Sequence, residues 1–334
     1  MPGDEITIRD APHIPGLTFR HFRGESDYPS MVAVNQKSGI VDNTEETATV
    51  EDIALWFEHL DTCDPYTDML FAEVNDEVIG YTMVWWGEDP NNTIFYNHFA
   101  CLLPEWRGKG IRHCMVQFNE DRLLEIASTH TGSNKHFRAF AEETEEHWIS
   151  VLVDMGYTIM RYGMKMVRPT LDDIPDFPLP DGIEVRPVKP EHYEKIRKAW
   201  NEACKDMRGQ VPFSEENFKE FQEDPMFDPS IWQIAWHKDE VIGTTICFIS
   251  ENENRKLDRK RGHTEFISVA RPWRGKGIAK ALIARGLKTL KKKGMTEAAL
   301  GVDAENPSGA RKLYEKMGFQ SVKQVVFYWK LLKG

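Results

Sequence analysis

A glycine-rich stretch in the second half of the chain carries the residues whose types and spacing best suit chemistry. Residues 274–279 read Arg-Gly-Lys-Gly-Ile-Ala, after an alternating run typical of a strand and before a helical pattern. Glycines let the backbone approach an anion closely, and the helix adds the positive end of its dipole. Arg274 and Lys276 add positive side chains. The stretch predicts a pyrophosphate cradle, with an ordinary surface turn before a helix as the alternative.

The spacing of these glycines excludes two familiar nucleotide-binding motifs. It lacks the Gly-x-x-x-x-Gly-Lys-Ser/Thr order of a P-loop and the Gly-x-Gly-x-x-Gly order of a dinucleotide fold. The five cysteines are scattered and form no Cys-x-x-Cys pair, which predicts neither a disulfide framework nor a zinc site. The expected ligand is therefore an anion held without a metal.

Two titratable side chains, His263 and Glu265, lie on the strand that precedes the cradle. A carboxylate or an imidazole can take a proton from an attacking amine, directly or through water. Because successive side chains of a strand point to opposite faces, the spacing predicts that both share one face with Ile267 and Val269. The alternatives are that His263 only completes a loop end and that Glu265 only pairs with a nearby basic residue.

The elements that must position these residues occur in the same order twice. Each half is predicted to contain a strand, two helices, a hairpin, a strand–loop–helix, and a final strand, helix and strand. Three pairs of segments match in order: 76–80 with 239–243, 104–111 with 271–278, and 155–157 with 317–319. A period of roughly 160 residues indicates a duplicated domain rather than a solenoid. The polar segment 251–261 is predicted to be a loop.

Four prolines in residues 169–181 separate the two copies. Proline removes a backbone donor and disfavours helix, so this segment is predicted to be a linker or an extended crossing. The predicted domains are therefore 1–168 and 182–334, joined by the proline-rich linker 169–181. A chain of 334 residues is long enough for two ordinary domains.

The two halves of the chain differ in charge. Residues 1–168 contain 13 Lys and Arg against 28 Asp and Glu, whereas residues 169–334 contain 29 against 25. The acidic first half argues against nucleic acid as the main partner, although solubility alone also explains the asymmetry. No apolar run approaches the roughly 18 residues that span a membrane, and the acidic N-terminus lacks the apolar core of a secretory signal. A cytoplasmic protein without membrane association is expected.

Three segments of the second copy resemble the GCN5-related N-acetyltransferases, the GNAT superfamily. The loop 274–279 matches the family's Arg/Gln-x-x-Gly-x-Gly/Ala signature, residues 306–314 match a helix that leads to Gly318-Phe319, and residues 240–243 match a common hairpin. The resemblance covers nearly all of residues 182–332. It implies a mixed α/β fold with two tandem acyl-CoA N-acyltransferase domains, each a mostly antiparallel, centrally splayed sheet flanked by helices.

The same resemblance implies roles in binding acetyl-CoA as a co-substrate. The loop holds the pyrophosphate, the backbone N–H of Val269 donates to the thioester oxygen, and Ile267 flanks the pantetheine arm. Asn306 caps a helix or binds that arm, with Ser308 as a competing cap. The expected cofactor-binding residues are Ile267, Val269, Arg274, Gly275, Lys276, Gly277, Ile278, Ala279 and Asn306.

The resemblance also implies which residues transfer protons. A tyrosine of the late helix commonly gives a proton to the leaving thiolate in this family, and Tyr314 has that position. His263 and Glu265 are equal candidates for the general base, since the family often holds a glutamate on this strand while counting back from the loop favours His263. Asp303, at a predicted strand end, is a weaker third candidate.

The first copy departs from the family pattern. Arg112 replaces the final small residue of its loop, Leu152 stands where the tyrosine is in the second copy, and Thr144 where the asparagine is. The glutamates around that helix start are unfavourable beside a phosphate. Because Arg107–Gly110 is intact, cofactor binding without turnover stays open. A catalytically silent first domain, with a structural or substrate-gating role, is expected.

The predicted activity is acetyl-CoA-dependent N-acetylation of a primary amine by direct attack in a ternary complex, with the active site in the second copy. A degenerate copy followed by an intact one is similar to the duplicated members of the family, the mycothiol synthases among them. The acidic first half is expected to attract a small cationic amine, such as a polyamine, an aminoglycoside or an amino sugar. The alternatives are a non-catalytic acyl-CoA sensor or scaffold and a protein acetyltransferase acting on lysine or an N-terminus. A monomer or a homodimer is expected.

Overall fold

The computed structural model describes residues 5–132, 134–205, 211–304 and 309–332. Its contacts divide the chain into two compact units. The first unit comprises Met1–Arg161 and Val325–Gly334, and the second unit comprises Tyr162–Gln324. Each unit is described below by itself.

These units divide the chain at other positions than the predicted boundaries at 168 and 182. The proline-rich segment 169–181 lies within the second unit, because Leu171 is buried in that unit's core and its N–H donates to the Thr296 carbonyl at 3.0 Å. The last residues of the chain belong to the first unit. The predicted domains 1–168 and 182–334 stay a prediction about folding units.

The helices and strands of the first unit follow the predicted order. They are β1 Leu17–Arg20, α1 Tyr28–Asp42, α2 Val50–Glu58, α3 Pro65–Asp68, β2 Met69–Val74, β3 Glu77–Glu88, β4 Ile94–Leu102, α4 Ile111–Ser128, β5 Lys135–Glu142 and α5 Glu146–Asp154. The start of α2 is fixed by a capping box in which Thr49 and Asp52 satisfy each other's backbone N–H groups.

The second unit repeats this order. Its elements are β6 Thr158–Arg168, which begins in the first unit, β7 Glu184–Val185, α6 Tyr193–Cys204, α7 Glu215–Glu223, β8 Gln233–His237, β9 Glu240–Phe248, α8 Glu251–Lys256, β10 Arg261–Val269, α9 Ile278–Lys292, β11 Glu297–Asp303, α10 Ala310–Lys316 and β12 Gln320–Leu331, which ends in the first unit. The loop prediction for 251–261 is wrong over α8. The Ser250 hydroxyl accepts the Glu253 N–H at 3.1 Å and caps this short helix.

Each unit is built on a mixed sheet. The strand order is β1-β2-β3-β4-β5-β12 in the first unit and β6-β11-β10-β9-β8-β7 in the second. The pairs β4–β5 and β10–β11 are parallel, and the other neighbours within each unit are antiparallel. This pattern confirms the predicted fold class, a mostly antiparallel α/β sheet flanked by helices.

The parallel pair of each sheet separates after a few residues. The β4–β5 ladder covers only Ile94–Asn97 of β4, and the β10–β11 ladder covers only Arg261–His263 of β10. Beyond those positions the two strands leave a gap. This gap is the central splay that the family resemblance implies, and in the second unit it lies beside the glycine-rich loop that follows β10.

The helix after that loop is held against the sheet by its apolar face. Ile283, Leu287 and Leu290 of α9 follow one another at spacings of four and three residues and are buried. At Gly286 a side chain would come within 2.8 Å of the Cys247 sulfur of β9, so the helix lies close to the strand there. This packing fixes where α9 begins. None of the helices in the described ranges combines the length and the apolarity that a membrane crossing requires.

Candidate active site of the second unit

The glycine-rich loop of the second unit has the backbone that an anion cradle requires. One turn of 3-10 helix over Arg271–Trp273 follows β10, and α9 begins at Ile278. Gly275 and Gly277 have φ angles of 77° and 84°, in the left-handed region where a side chain is strained. A Cβ at either position would meet no atom of the described residues within 4 Å. The loop is therefore open on its outer side.

The amide groups of this loop are available to a ligand. Gly275, Lys276 and Gly277 are exposed, and their N–H groups have no hydrogen bond to another residue in the described ranges. The Ala281 N–H donates to the Gly277 carbonyl at 3.1 Å, so helical bonding starts only after the loop. Free N–H groups at a helix N-terminus fit the oxygens of a pyrophosphate. The loop thus meets the main requirement that acetyl-CoA binding places on it.

The two basic side chains of the loop have contacts of their own. Arg274 donates Nε to the Val269 carbonyl at 3.0 Å and Nη2 to the Ala203 carbonyl at 3.1 Å, which braces the loop against the end of α6. The Lys276 ammonium lies 4.7 Å from the centre of the Trp273 ring. Contact of these two side chains with a phosphate stays a prediction, and Arg274 has a bracing role that the sequence does not reveal.

A β-bulge interrupts β10 between Glu265 and Ser268. Glu265 pairs with Ile246 of β9, whereas Ser268 pairs with Thr244, so a step of three residues on β10 meets a step of two on β9. Phe266, inside the bulge, has a φ angle of 47°, which a bulky side chain seldom adopts. Such a conformation is held by its surroundings and is often found at functional sites.

The bulge changes which side chains share a face of the sheet. His263 and Glu265 pair with residues on one face of β9, whereas Val269 pairs with Gly243, which belongs to the other face. The prediction that His263, Glu265, Ile267 and Val269 share one face is therefore wrong. The extra residue in β10 reverses the alternation of its side chains between the two faces. The bulge that causes this is defined only by the pairing of β10 with β9.

The backbone of Val269 is turned towards the gap between β10 and β11. The Ala270 N–H donates to the Ile242 carbonyl of the β9 side at 2.9 Å. Because hydrogen-bonded and non-bonded pairs alternate in an antiparallel ladder, the neighbouring pair of Val269 and Gly243 is non-bonded. The N–H of Val269 thus points away from β9, as a donor to a ligand in the gap must.

The Glu265 carboxylate lies in the same gap. The β10–β11 ladder ends at the pair His263 and Ala299, and beyond it Glu265 Oε1 accepts the Gly301 N–H of β11 at 2.8 Å. Burial raises the pKa of Glu265 to about 7, against the opposing effect of the Gly301 donor. A carboxyl group with a pKa near neutral pH is suited to accept and release a proton.

Tyr314 of α10 lies close to this carboxylate. Its side chain has 5% of its surface exposed, and its ring meets Phe319 edge-on with 6.2 Å between ring centres. Burial raises the pKa of Tyr314, and the negative charge of Glu265 raises it further. The phenol therefore keeps its proton at neutral pH and can donate it.

His263 has a partner of its own. Its Nε2 lies 3.2 Å from the Glu253 carboxylate of α8, and its ring stacks on Phe248 with 4.6 Å between centres. Burial disfavours ionisation of Glu253, but hydrogen bonds from His263 and Arg259 outweigh it and hold the pKa of Glu253 down to about 2. This contact with Glu253 occupies the imidazole, which leaves Glu265 as the stronger candidate for the base.

The remaining predicted residues are distributed around the loop. Ile278 is buried beneath it, Ala279 follows in the first turn of α9, and Ile267 lies in the bulge. Asn306 and Ser308 are outside the described residues. In the part of the chain that the structure describes, no three His, Cys, Asp or Glu side chains cluster as metal ligands would.

A small open pocket, with room for about one water molecule, lies on the Glu265 face of the sheet. It is lined by Ile196, Arg197, Trp200, Phe213, Phe218, Phe221, Trp232, Thr244, Ile246 and Phe266. The density of aromatic residues in 193–232 is the sequence signal that could have indicated it.

The first unit has the same loop backbone, but its own side chains fill the cradle. Gly108 and Gly110 have φ angles of 72° and 84°. The Gly108 N–H donates to His147 Nε2 at 3.0 Å, and Arg112 Nη1 lies 3.1 Å from His147 Nδ1. Arg112 is buried and lies over the Trp148 ring, 5.5 Å from its centre. A ligand in this cradle would have to displace the imidazole.

Small residues stand at the equivalent positions of the second unit. The ends of α5 and α10 correspond, since Tyr157 donates to the Leu152 carbonyl and Phe319 to the Tyr314 carbonyl, both at 3.0 Å. Counted from these helix ends and from the loops, the pairs are Arg112 with Ala279, His147 with Gly309 and Trp148 with Ala310. At Gly309 a Cβ would also meet no atom of the described ranges within 4 Å. The second cradle therefore lacks the filling side chains.

The first unit also lacks proton-transfer groups at the positions equivalent to Glu265 and Tyr314. β4 pairs with β3 without a register shift, so it has no bulge. Counted along β3 and β9 from the matching Gly80 and Gly243, Phe99 takes the place of Glu265. Leu152, which is fully buried, takes the place of Tyr314.

Comparisons with known proteins find similarity to acetyltransferases. Residues 193–319 match the acetyltransferase (GNAT) family, within the second unit. A mycothiol acetyltransferase from Thermobispora bispora is 28% identical over 248 residues, which are 73% of this chain and 77% of that protein.

Solved structures share the fold over nearly the whole chain. A GCN5-related N-acetyltransferase from Sphaerobacter thermophilus has a TM-score of 0.75 at 22% identity, covering 97% of this chain and 96% of that one. A tandem GNAT protein from the clavulanic acid biosynthesis pathway has a TM-score of 0.68 at 12% identity, covering 94% of this chain and 98% of that one. At these identities the likeness shows the fold alone.

Proposed function

We propose that the second unit, of which residues 193–319 match the acetyltransferase (GNAT) family, transfers an acetyl group from acetyl-CoA to a primary amine. The observation that most supports this is the Glu265 carboxylate, which lies in the gap between β10 and β11 with a pKa of about 7. An open anion cradle ends the same strand, and a buried phenol lies beside the carboxylate.

The chain's own residues suit the binding of acetyl-CoA, which supplies a thioester whose carbonyl carbon an amine can attack. The free N–H groups of Gly275, Lys276 and Gly277 would hold the pyrophosphate, and Arg274 would keep the loop in place. The Val269 N–H, turned towards the gap, would donate to the acyl oxygen as negative charge develops on it.

Glu265 is the base in this proposal. Its Oε1 already accepts the Gly301 N–H, so Oε2 receives the proton of the amine as nitrogen bonds to the acyl carbon. Tyr314 gives its O–H proton to the sulfur as the C–S bond breaks. The proton on Glu265 then returns to the Tyr314 oxygen, which restores both groups. The products are an amide and a thiol, and no proton is gained or lost overall.

The first unit has no catalytic role in this proposal. Its cradle holds His147 and Arg112, and Phe99 and Leu152 stand where proton-transfer groups are needed. It also takes Val325–Leu331 of β12 into its sheet against β5. A structural role accounts for both observations.

The test is acetylation of a panel of amines by the purified full chain. Spermidine, glucosamine, phenylethylamine and a lysine peptide are each offered with acetyl-CoA, and both free thiol and the acetylated product are measured. In Glu265→Gln, kcat should fall by about 10²–10⁴, the usual contribution of a general base. The affinity for CoA, measured by calorimetry, should change less than about twofold, since the cradle is untouched.

Glu240→Gln is the matched control, because Glu240 is an exposed carboxylate at the start of β9. Its kcat should equal that of the wild type. Full activity in Glu265→Gln would contradict the assignment of the base and favour His263. Tight CoA binding without acetylation of any amine would favour the sensor or scaffold alternative.

A further inference from the structure

A buried threonine of β9 lies opposite the bulge that separates Glu265 from Val269. We infer that Thr244 is a positioning residue, whose hydroxyl holds this bulge in the shape that acetyl transfer requires. The inference rests on the proposed function of the second unit. Thr244 acts through the backbone of β10 and takes no part in the transfer of protons.

The Thr244 hydroxyl contacts both ends of the bulge. It donates to the Phe266 carbonyl at 2.6 Å, and its oxygen lies 2.7 Å from the Ser268 hydroxyl. A threonine hydroxyl has one hydrogen, which the Phe266 carbonyl takes, so Ser268 must donate to Thr244. The chain of bonds therefore runs from Ser268 through Thr244 to Phe266, and it spans Ile267.

The bulge needs this support because its backbone is strained and buried. Phe266 has a φ angle of 47°, a conformation that costs free energy for a bulky side chain and persists only where its surroundings enforce it. The Thr244 side chain has 0% of its surface exposed, so water does not replace its hydroxyl easily. Without that hydroxyl the Phe266 carbonyl would lose its donor, and an unsatisfied buried carbonyl is costly.

The groups that the proposed reaction uses lie on the two sides of this hydrogen-bonded segment. Glu265 immediately precedes Phe266, and Val269 immediately follows Ser268. A change of φ at Phe266 would rotate one group relative to the other, so the carboxylate and the Val269 N–H would no longer face the same gap. In the described ranges the hydrogen bonds of Thr244 reach no residue of the loop 274–279, so the cradle does not depend on them.

The first unit lacks both the bulge and the threonine. Counted along β3 and β9 from the matching Gly80 and Gly243, Tyr81 takes the place of Thr244. Its hydroxyl donates to Asn35 Oδ1 of α1 at 2.9 Å. Because β4 pairs with β3 without a register shift, the threonine and the bulge occur together in the second unit and are both missing from the first.

The neighbouring Thr245 provides a matched control in the same strand. Both threonines have 0% of their surface exposed, but the Thr245 hydroxyl has no hydrogen-bond partner among the described residues. Its methyl carbon lies 3.7 Å from the position that a Cβ would take at Gly286, so this side chain faces α9. Valine has nearly the shape of threonine, and Thr244→Val and Thr245→Val therefore differ in the hydrogen bonds that they remove.

The first measurement reports the bulge itself and needs no substrate. The amide hydrogen and the Hα of one residue lie closest together when φ is positive, so Phe266 should give a strong intraresidue nuclear Overhauser effect. The signal should be strong in the full-length wild type, in Thr245→Val and in Thr244→Ser, which keeps the hydroxyl. It should be lost in Thr244→Val. An unchanged signal in Thr244→Val would overturn the inference.

The second measurement separates positioning from general stability. With the amine that the wild type acetylates fastest, kcat of Thr244→Val should fall at least about tenfold, and the calorimetric affinity for CoA should change less than about twofold. Thr244→Ser should recover most of the lost kcat, and Thr245→Val should match the wild type. Equal kcat values in Thr244→Val and Thr245→Val would overturn the inference, as would equal losses of kcat and CoA affinity in Thr244→Val.

Ser268→Ala keeps the test decisive if Thr244→Val does not fold. It removes the donor to Thr244 and leaves the bond to Phe266 in place, so kcat should fall by about threefold. The Overhauser effect of Phe266 should weaken in the same variant. An unchanged kcat with an unchanged Overhauser effect in Ser268→Ala would overturn the inference.

The two proposals fail in different ways. If Glu265→Gln is inactive while Thr244→Val has the kcat of the wild type, the inference about Thr244 is wrong and the proposed function stands. If the wild type acetylates no amine, the proposed function is wrong, and the Overhauser effect of Phe266 still shows whether Thr244 holds the bulge.

Discussion

The two units share a loop and differ in what surrounds it. Both loops place glycines at φ angles between 72° and 84°, and both carry a lysine over a tryptophan ring, with the ammonium 4.4 Å from the ring centre in the first unit and 4.7 Å in the second. The first cradle is filled by Arg112 and His147, whereas the second has Ala279 and Gly309 at those positions.

This comparison teaches that the loop backbone and the space within the cradle are determined by different residues. Backbone shape is set locally by the glycines, and it survives in both units. Ligand access is set by side chains on two helices, one beginning at the loop and one near the end of the unit. Chemistry is set by a third feature, the bulge that accompanies Glu265 in β10 and is missing from β4.

The largest expected effect comes from placing two large side chains of the first unit at the equivalent positions beside the second cradle. Ala279→Arg with Ala310→Trp reproduces the arginine and the tryptophan of the first unit. The affinity for CoA should fall by at least about 100-fold, since two charge-assisted hydrogen bonds contribute about 1.5–3 kcal/mol each. Calorimetry measures it. Arg112→Ala in the first unit is the matched control and should change the affinity less than about twofold.

Loss of the phenol should have the next largest effect. Tyr314→Phe keeps the packing against Phe319 but removes the proton donor, so kcat should fall by about 10–100-fold, at or below the usual range for general acid catalysis. Thiol release measures it. An acyl donor whose thiol is a poorer leaving group should widen the difference in kcat between Tyr314→Phe and the wild type. Equal kcat values in Tyr314→Phe and the wild type would remove this residue from the mechanism.

The pH dependence should report Glu265. Because burial raises its pKa to about 7, the ionised form that accepts a proton is lost as pH falls below 7. Once a substrate amine is identified, kcat/KM should fall about tenfold for each pH unit below 7. Protonation of the amine itself would add to this fall. The residual activity of Glu265→Gln should lack this fall in kcat/KM below pH 7. The same fall in that variant would show that another group causes the pH dependence.

The smallest expected effect is on stability. The ordinary pKa of Glu265 is 4.5, so folding favours its protonated form, and the stability this gives is lost as pH rises from 4.5 through about 7. Glu265→Gln should therefore be more stable than the wild type at pH 8, on the order of 2 kcal/mol, and equal to it near pH 4.5. Urea unfolding at both values measures this. An equal stability at pH 8 would show that the carboxylate is well solvated.

Local signals allowed part of the fold to be predicted from the sequence. The loop conformation follows from the types of residues 275 and 277, and the second copy of the fold follows from repeated segments. The helix α8 was also predictable, since Ser250 and Glu253 have the spacing of a capping box, but the basic composition of 251–261 favours a loop.

Other features depend on contacts that no local pattern records. The bulge between Glu265 and Ser268 exists only relative to β9, and without it Val269 is assigned to the wrong face. The partner of His263 comes from the helix that the loop prediction omits. The pairing of β12 with β5 brings the last strand of the chain to the first unit, and no residue type signals it.

The number of CoA molecules that one chain binds tests the contrast between the units most directly. A calorimetric titration of the full chain with CoA should give one tight site, and the Ala279→Arg, Ala310→Trp variant should give none. Two equal tight sites in the wild type would contradict the contrast, because the first cradle would then admit a ligand despite His147 and Arg112.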